Sequence, residues 1–179
     1  MAKLKIFGES SCENFELIED FSEIQAELAR ISVKLDRWYP KKNAAELDSA
    51  DEILDAFSEQ IERLKSERGF LTQDVISISP DHPNKNELRE KFLSEHTHND
   101  DEARYFVDGT GLFYVHSDAK VYGIVCEKGD LINIPKGTQH WFDMGPNPNF
   151  TCIRVFTNPD GWVAQFTDSS IAKEFPLLG

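Results

Sequence analysis

The sequence predicts a mainly β chain, an antiparallel sandwich or barrel with additional helices in its N-terminal half (α+β). From Glu95 onward, short strands are divided by Asp108-Gly109-Thr110-Gly111, Ser117-Asp118-Ala119, Lys128-Gly129-Asp130, Gly145-Pro146-Asn147-Pro148-Asn149 and Asn158-Pro159-Asp160-Gly161. That rhythm suits antiparallel strands rather than β-α-β units. Before Glu95, two stretches place apolar residues three and four apart, which is the signature of a helix with one buried face. The 179 residues contain no internal repeat, low-complexity tract or linker. One domain, 1–179, is therefore expected, with 1–92 supplying strands and helices packed on the barrel and 93–179 carrying the histidine motifs.

Taken in order, Lys3-Leu4-Lys5-Ile6-Phe7 alternates and reads as an edge strand, with a polar turn after it. Phe21, Ile24, Leu28 and Ile31 then predict an amphipathic helix from about Asp20 to Arg30. Val33 to Trp38 alternates again, and Pro40-Lys41-Lys42-Asn43 closes that strand. Ser49-Ala50-Asp51-Glu52 matches a capping box and starts a helix whose buried stripe is Ile53, Leu54, Phe57, Ile61 and Leu64, with Gly69 as its C-terminal cap. Asp74 to Ser79 is a strand, Pro80 to Asn84 a turn, and Glu87 to Phe92 a short helix. At the far end, Thr167-Asp168-Ser169-Ser170 caps a final helix through Phe175, stopped by Pro176.

A net charge of −13 opposes binding to phosphate backbones and anionic membrane surfaces, so neither nucleic acid nor membrane is an expected partner. Cys12, Cys126 and Cys152 show no C-x-x-C spacing, and an odd number leaves a thiol unpaired within the chain. Together with the lack of a signal-like apolar run near Met1, this points to a cytoplasmic protein with reduced thiols.

The chemistry concentrates in Glu95-His96-Thr97-His98-Asn99-Asp100-Asp101-Glu102. Side chains alternate along a strand, so His96 and His98 face one way, and Glu102 opens the next strand after an Asn-Asp-Asp turn. His140, after an alternating strand and a Pro-x-Gly turn, is the natural fourth ligand. Three imidazoles and a carboxylate form a mixed N/O set suited to Fe(II), Ni(II), Mn(II) or Co(II), one ion per chain. Arg104 shares the inward face of Glu102 and favours an ionised substrate. Arg154 lies in the apolar run Cys152 to Phe156, where it serves a salt bridge or a substrate. Phe92, Phe142 and Trp162 form an apolar wall or simply core, His82 reads as a solvated turn residue, and His116 as a strand-edge residue.

The spacing His96-x-His98-x3-Glu102-x6-Gly109, followed by Gly129-x5-Pro135-x-Gly137-x2-His140, resembles the two motifs of the cupin superfamily. It departs from them at Glu90, where a leading glycine is usual, and at Met144, where a closing asparagine is usual. Within that superfamily, Asp74-Val75-Ile76-Ser77, Leu88 to Phe92, Phe106 to Phe113, His140 to Gly145 and Gly161 to Phe166 resemble the acireductone dioxygenases of methionine salvage. The resemblance implies a cupin-type antiparallel jelly-roll barrel with a metal at His96, His98, Glu102 and His140. It implies cleavage of 1,2-dihydroxy-3-keto-5-methylthiopentene by O2, to formate and 4-methylthio-2-oxobutanoate with Fe(II), or to formate, CO and 3-methylthiopropanoate with Ni(II). It further implies stabilisation of the substrate dianion by Arg104, metal incorporation by Glu95 and conformational relay by Asp101. The substrate partners would be acireductone and O2, and the working unit a monomer. A cupin metalloenzyme of other oxidative or isomerising chemistry, and a non-catalytic metal or small-ligand binder, are the competing readings.

Overall fold

The computed structural model describes residues 2–39, 46–159 and 162–179. The expected strand stop at Pro40-Lys41-Lys42-Asn43 and the Asp160-Gly161 half of the last turn lie outside these. Among the described residues, eleven strands pair antiparallel throughout, and four α-helices accompany them. The chain is mainly β, as expected.

The N-terminal half begins with β1 (Lys3–Gly8) and β2 (Ser11–Ile18). It continues through α1 (Phe21–Arg30), β3 (Lys34–Arg37), α2 (Ala50–Ala56) and α3 (Ser58–Arg68). β4 (Thr72–Ile78) and α4 (Lys85–Phe92) complete it. Two expectations change here. β1 is interior, paired with β2 on one side and a later strand on the other. The expected polar turn is β2, and this strand forms the edge. Its Cys12, Glu13 and Asn14 hide it from pattern reading; hairpin pairing to β1 makes it a strand, with Phe15 left 46% exposed.

The single helix expected from Ser49 is two. Ser49 Oγ accepts from the Glu52 amide as a cap should, while the Glu52 carboxylate accepts from the Asp48 amide rather than that of Ser49. Phe57 breaks the run, fully buried with a non-helical ψ of 11°, and α3 restarts after it. Turning at Phe57 seats that ring on Tyr105, at 4.7 Å between centroids, so tertiary packing overrides helix continuity. Gly69 caps α3 in the left-handed region, φ 74°.

The second half runs β5 (His96–Thr97), β6 (Glu102–Ser117), β7 (Lys120–Glu127), β8 (Asp130–Ile134) and β9 (Gln139–Asp143), then β10 (Phe150–Phe156) and β11 (Gln165–Phe166). β6 organises the rest. Its first half pairs with β8 and β10, its second half with β7 and β9. One sheet therefore runs β11-β5-β9-β6-β7-β1-β2, and the other β4-β10-β6-β8-β3. Asp108-Gly109-Thr110-Gly111, expected to divide two strands, is instead the corner where one strand changes sheets. The register with β10 slips at Thr151/Cys152, and Gly109 adopts φ 79° with no room for a Cβ against the Asn149 carbonyl. The final helix is only a 3₁₀ turn, Ile171–Glu174. Ser169 Oγ still accepts from the Ile171 amide.

Both faces of β6 are buried. Phe106 and Phe113 point into the barrel with Phe142, Phe150 and α1's Ile24 and Leu28. Ala103, Tyr105 and Val107 point outward under α2 and α3, against Ile53, Phe57, Ile61 and Leu64. A third cluster joins Phe7, Tyr114, Trp141 and Phe175. All three cysteines carry free thiols, two of them buried. Among the described residues, no helix is long and apolar enough to cross a membrane.

Candidate functional site

His96 lies on β5 directly opposite His140 on β9, and β9 pairs in turn with β6, which Glu102 opens. His98 stands just past the end of β5 rather than within a strand, but keeps the expected side. The Nε2, Nδ1 or carboxylate ligand atoms of His96, His98, Glu102 and His140 lie within 4.8 Å of one another, and all four residues are buried. The ring pairs are 4.5 to 5.1 Å apart between centroids.

The backbone orients each ring. Nδ1 of His96 meets the Ser94 carbonyl at 2.7 Å, that of His98 the Val163 carbonyl at 2.9 Å, and that of His140 the Thr138 carbonyl at 2.8 Å. Carbonyls only accept, so each Nδ1 carries the proton and each Nε2 presents a lone pair. Yet Glu102 Oε2 stands 3.0 Å from Nε2 of His98 and 3.1 Å from Nε2 of His140. Lone pairs opposed at that distance repel unless a cation or a second proton lies between them. The donor set thus fits a divalent metal on its own geometry.

Local electrostatics agree. Burial, reinforced by neighbouring His140, pushes the His96 pKa down to about 4, so this ring stays neutral. Burial also opposes charge on His98, but the Glu102 carboxylate outweighs it and raises the value. For Glu102 itself burial works upward, and Arg104, His140 and His98 together hold the carboxyl well below its usual range.

Arg104 is on the expected inward face, with Nη2 3.1 Å from Glu102 Oε1. The residue is buried, and its guanidinium lies over Phe142 at 4.8 Å, Phe113 at 5.4 Å and Trp162 at 5.5 Å. Its buried Nε has no hydrogen-bond partner among the described residues. A cavity of about 280 Å³ is lined by the four-residue group and Arg104 together with Phe92, Phe142 and Trp162. All three predicted wall residues therefore reach it. Arg154 borders it too, directly beside Arg104 across the β6–β10 pair, and Asp74 on β4 holds it through Nε at 2.8 Å.

Glu95 and Asp101 do not join the cavity lining. The Glu95 carboxylate turns away from its neighbour His96, accepting from Thr167 Oγ1 at 2.6 Å and contacting His116 Nδ1 at 2.8 Å. His116, expected at a strand edge, is interior, with β7 and β9 on its two sides, and its other nitrogen meets Glu9 at 3.1 Å. Asp101 accepts from the Lys136 amide at 2.9 Å, and its carbonyl accepts from Trp162 Nε1 at 3.2 Å. His82 is a turn residue, its Nδ1 accepting from the Asn84 amide. Sequence reasoning missed Ile76, Leu88, Lys91 and Ala164 around the cavity, and Asp74 behind Arg154. The helical spacing of Leu88 and Phe92 marked one common face, whereas the pairing of Asp74 with Arg154 depends on a cross-strand register that no local pattern records.

Comparison with known proteins agrees with this arrangement. An acireductone dioxygenase from Hahella chejuensis is 49% identical over 180 residues, covering 98% of this chain and 95% of that one. One from Aquifex aeolicus is 51% identical, covering 98% and 96%. A solved acireductone dioxygenase from Bacillus anthracis, described with a cadmium ion in its active centre, superposes with a TM-score of 0.81 at 30% identity, over 93% of this chain and 98% of that one. The model of the ARD/ARD' family matches residues 3–164, nearly the whole of the barrel and its helices, and so the chain belongs to the ARD/ARD' family.

Proposed function

We propose that the chain is a metal-dependent acireductone dioxygenase of methionine salvage. It cleaves 1,2-dihydroxy-3-keto-5-methylthiopentene with O2, to formate and 4-methylthio-2-oxobutanoate when Fe(II) is bound, or to formate, CO and 3-methylthiopropanoate with Ni(II). The observation that carries the reading is the convergence of three Nδ1-protonated imidazoles and one carboxylate beneath a cavity that also holds a buried guanidinium. His96, His98, Glu102 and His140 would hold one divalent ion per chain. When bound, that ion supplies Lewis-acid polarisation of the substrate oxygens and the setting for their reaction with dioxygen.

The remaining work falls to the chain's own residues. The positive charge of the buried Arg104 guanidinium in a dry site favours the doubly ionised enediol. Phe92, Phe142 and Trp162 exclude water and offer aromatic surface to a thioether tail. Arg154, already neutralised by Asp74, orients the outer part of the substrate. Glu95 assists metal incorporation indirectly, its carboxylate holding the backbone before His96 through Thr167 and His116. Asp101 suits a relay because it ties the loop before Gly137 to Trp162, while the Gly137 amide donates to the His98 carbonyl. The reading takes 1–179 as one domain, supported by β1, β3 and β4 pairing with β7, β8 and β10, and places it in the cytoplasm as a monomer.

The test is anaerobic mixing of acireductone with Fe(II)-loaded protein, followed by oxygen. Accelerated substrate loss with formate and a 2-oxo acid is expected. His96→Ala and Glu102→Ala should each lose both retained metal, measured by elemental analysis, and turnover. Metal retained without any oxygen-dependent product would favour a binder instead.

A further inference from the structure

We infer that Gly111 is a specificity-determining position: by placing no side chain behind the Phe142 ring, it sets the depth of the apolar end of the cavity and so the length of substrate tail admitted. The inference rests on the acireductone reading, with the enediol at the histidine-glutamate group and the methylthioethyl tail against the aromatic wall.

Gly111 lies on β6 and does not line the cavity; Phe142, on β9 opposite Phe113, does. A Cβ at 111 would stand 2.5 Å from Cζ of Phe142, closer still to its Cε2, and 3.3 Å from Cε1 of Phe106. Carbon atoms settle near 3.5 Å or beyond, so the Phe142 ring would have to yield by about 1 Å. Its packed neighbours limit where it can go. Phe113, at 4.7 Å between centroids, and Phe150, at 5.8 Å, block the core side. The β9 backbone is held by its ladder with β6 and, at the next residue, by Asp143 gripping Arg89 on α4 at 2.7 Å. What remains is the cavity, where the ring faces the Arg104 guanidinium at 4.8 Å and Phe92 at 6.2 Å. Gly111→Ala therefore shortens the cavity from behind without replacing a metal-binding or charged residue.

The test compares wild type, Gly111→Ala and the double variant Gly111→Ala/Phe142→Leu on two acireductones, one with the methylthioethyl tail and one with the tail cut to a methyl group. For Gly111→Ala, kcat/KM on the long-tailed substrate should fall about tenfold, mainly through KM, while the short-tailed one changes less than about threefold. The double variant, with a smaller residue at 142, should recover most of the loss. A crystal structure of Gly111→Ala should show the ring moved toward Phe92 by about 1 Å. Equal losses on both substrates, an unshifted ring, or no recovery in the double variant would overturn the inference. If wild type oxidises neither acireductone, the oxygenase reading fails separately. Calorimetric affinities of metal-loaded wild type and variant for 2-oxo acids with methylthioethyl and methyl tails then decide about Gly111: selective weakening of the longer supports it, and equal effects refute it.

Discussion

At Arg104, a buried guanidinium on the cavity side of β6 combines an ion pair to Glu102, three aromatic neighbours and an Nε unpartnered among the described residues. Removing it should separate chemistry from metal retention. Arg104→Met is expected to lower kcat by about a hundredfold or more, the scale of losing one charge-stabilising donor in a dry site. Its metal content should stay near that of wild type, because the four ligand side chains and their carbonyl partners remain. Elemental analysis beside steady-state kinetics checks this, and parallel loss of metal would make the residue a support for Glu102 only. At this scale much was legible. The alternation of His96 and His98, and the shared face of Glu102 and Arg104, follow from strand parity. The partner of Arg154 was not, since Asp74 reaches it only through the β4–β10 register.

Among the elements, α4 and β9 are fastened to each other by Arg89 and Asp143 at 2.7 and 3.0 Å, and Asp143 also accepts from the Gly145 and Leu178 amides. The clasp joins a helix carrying Leu88 and Phe92 to the strand carrying His140 and Phe142, so it sets the width of the cavity. Burial pushes the Asp143 carboxyl upward, but Arg89 and the two amides outweigh it, and the pKa is lowered. A folded value below the unfolded one stabilises the fold above the ordinary carboxylate range and loses that contribution as pH falls through the folded value. Asp143→Asn should cost about 3 kcal/mol at neutral pH, the scale for leaving one member of a buried pair unmatched. The gap from wild type in denaturant titrations should narrow steadily as the pH falls below about 4. A gap independent of pH would mean that the amide contacts matter and the charge does not. Helix and strand types were largely readable here, while β2 and the break at Phe57 were not. Both come from partners, β1 for the strand and Tyr105 for the ring, that lie outside the local window.

For the molecule as a whole, the metal group is one small polar island among three apolar clusters, so folding is not expected to depend on the ion. Chelator-treated protein should retain its β-sheet circular dichroism yet melt at a lower temperature. Adding the cation back should raise the midpoint with concentration, by an amount equivalent to about 2.7 kcal/mol at a hundred times the dissociation constant. Loss of the sheet signal on chelation would instead make the ion part of the fold. The sheet architecture supports the first outcome: β6 alone pairs with four other strands, and none of those ladders runs through a metal ligand side chain.

The sequence by itself determined the donor types, the common direction of His96 and His98, the antiparallel character signalled by closely spaced turns, and the burial of the α1 and α3 stripes. These are properties of short windows, where a period of two or of three to four states which side chains share a face. Only the tertiary structure decided that β6 passes unbroken through Asp108-Gly109-Thr110-Gly111, that β1 is interior, that Glu95 turns to His116, and that Gly111 backs Phe142. Each of those rests on register and close packing between distant segments. Such contacts are chosen by filling a shared core without voids or clashes, and no local pattern in the chain records the outcome.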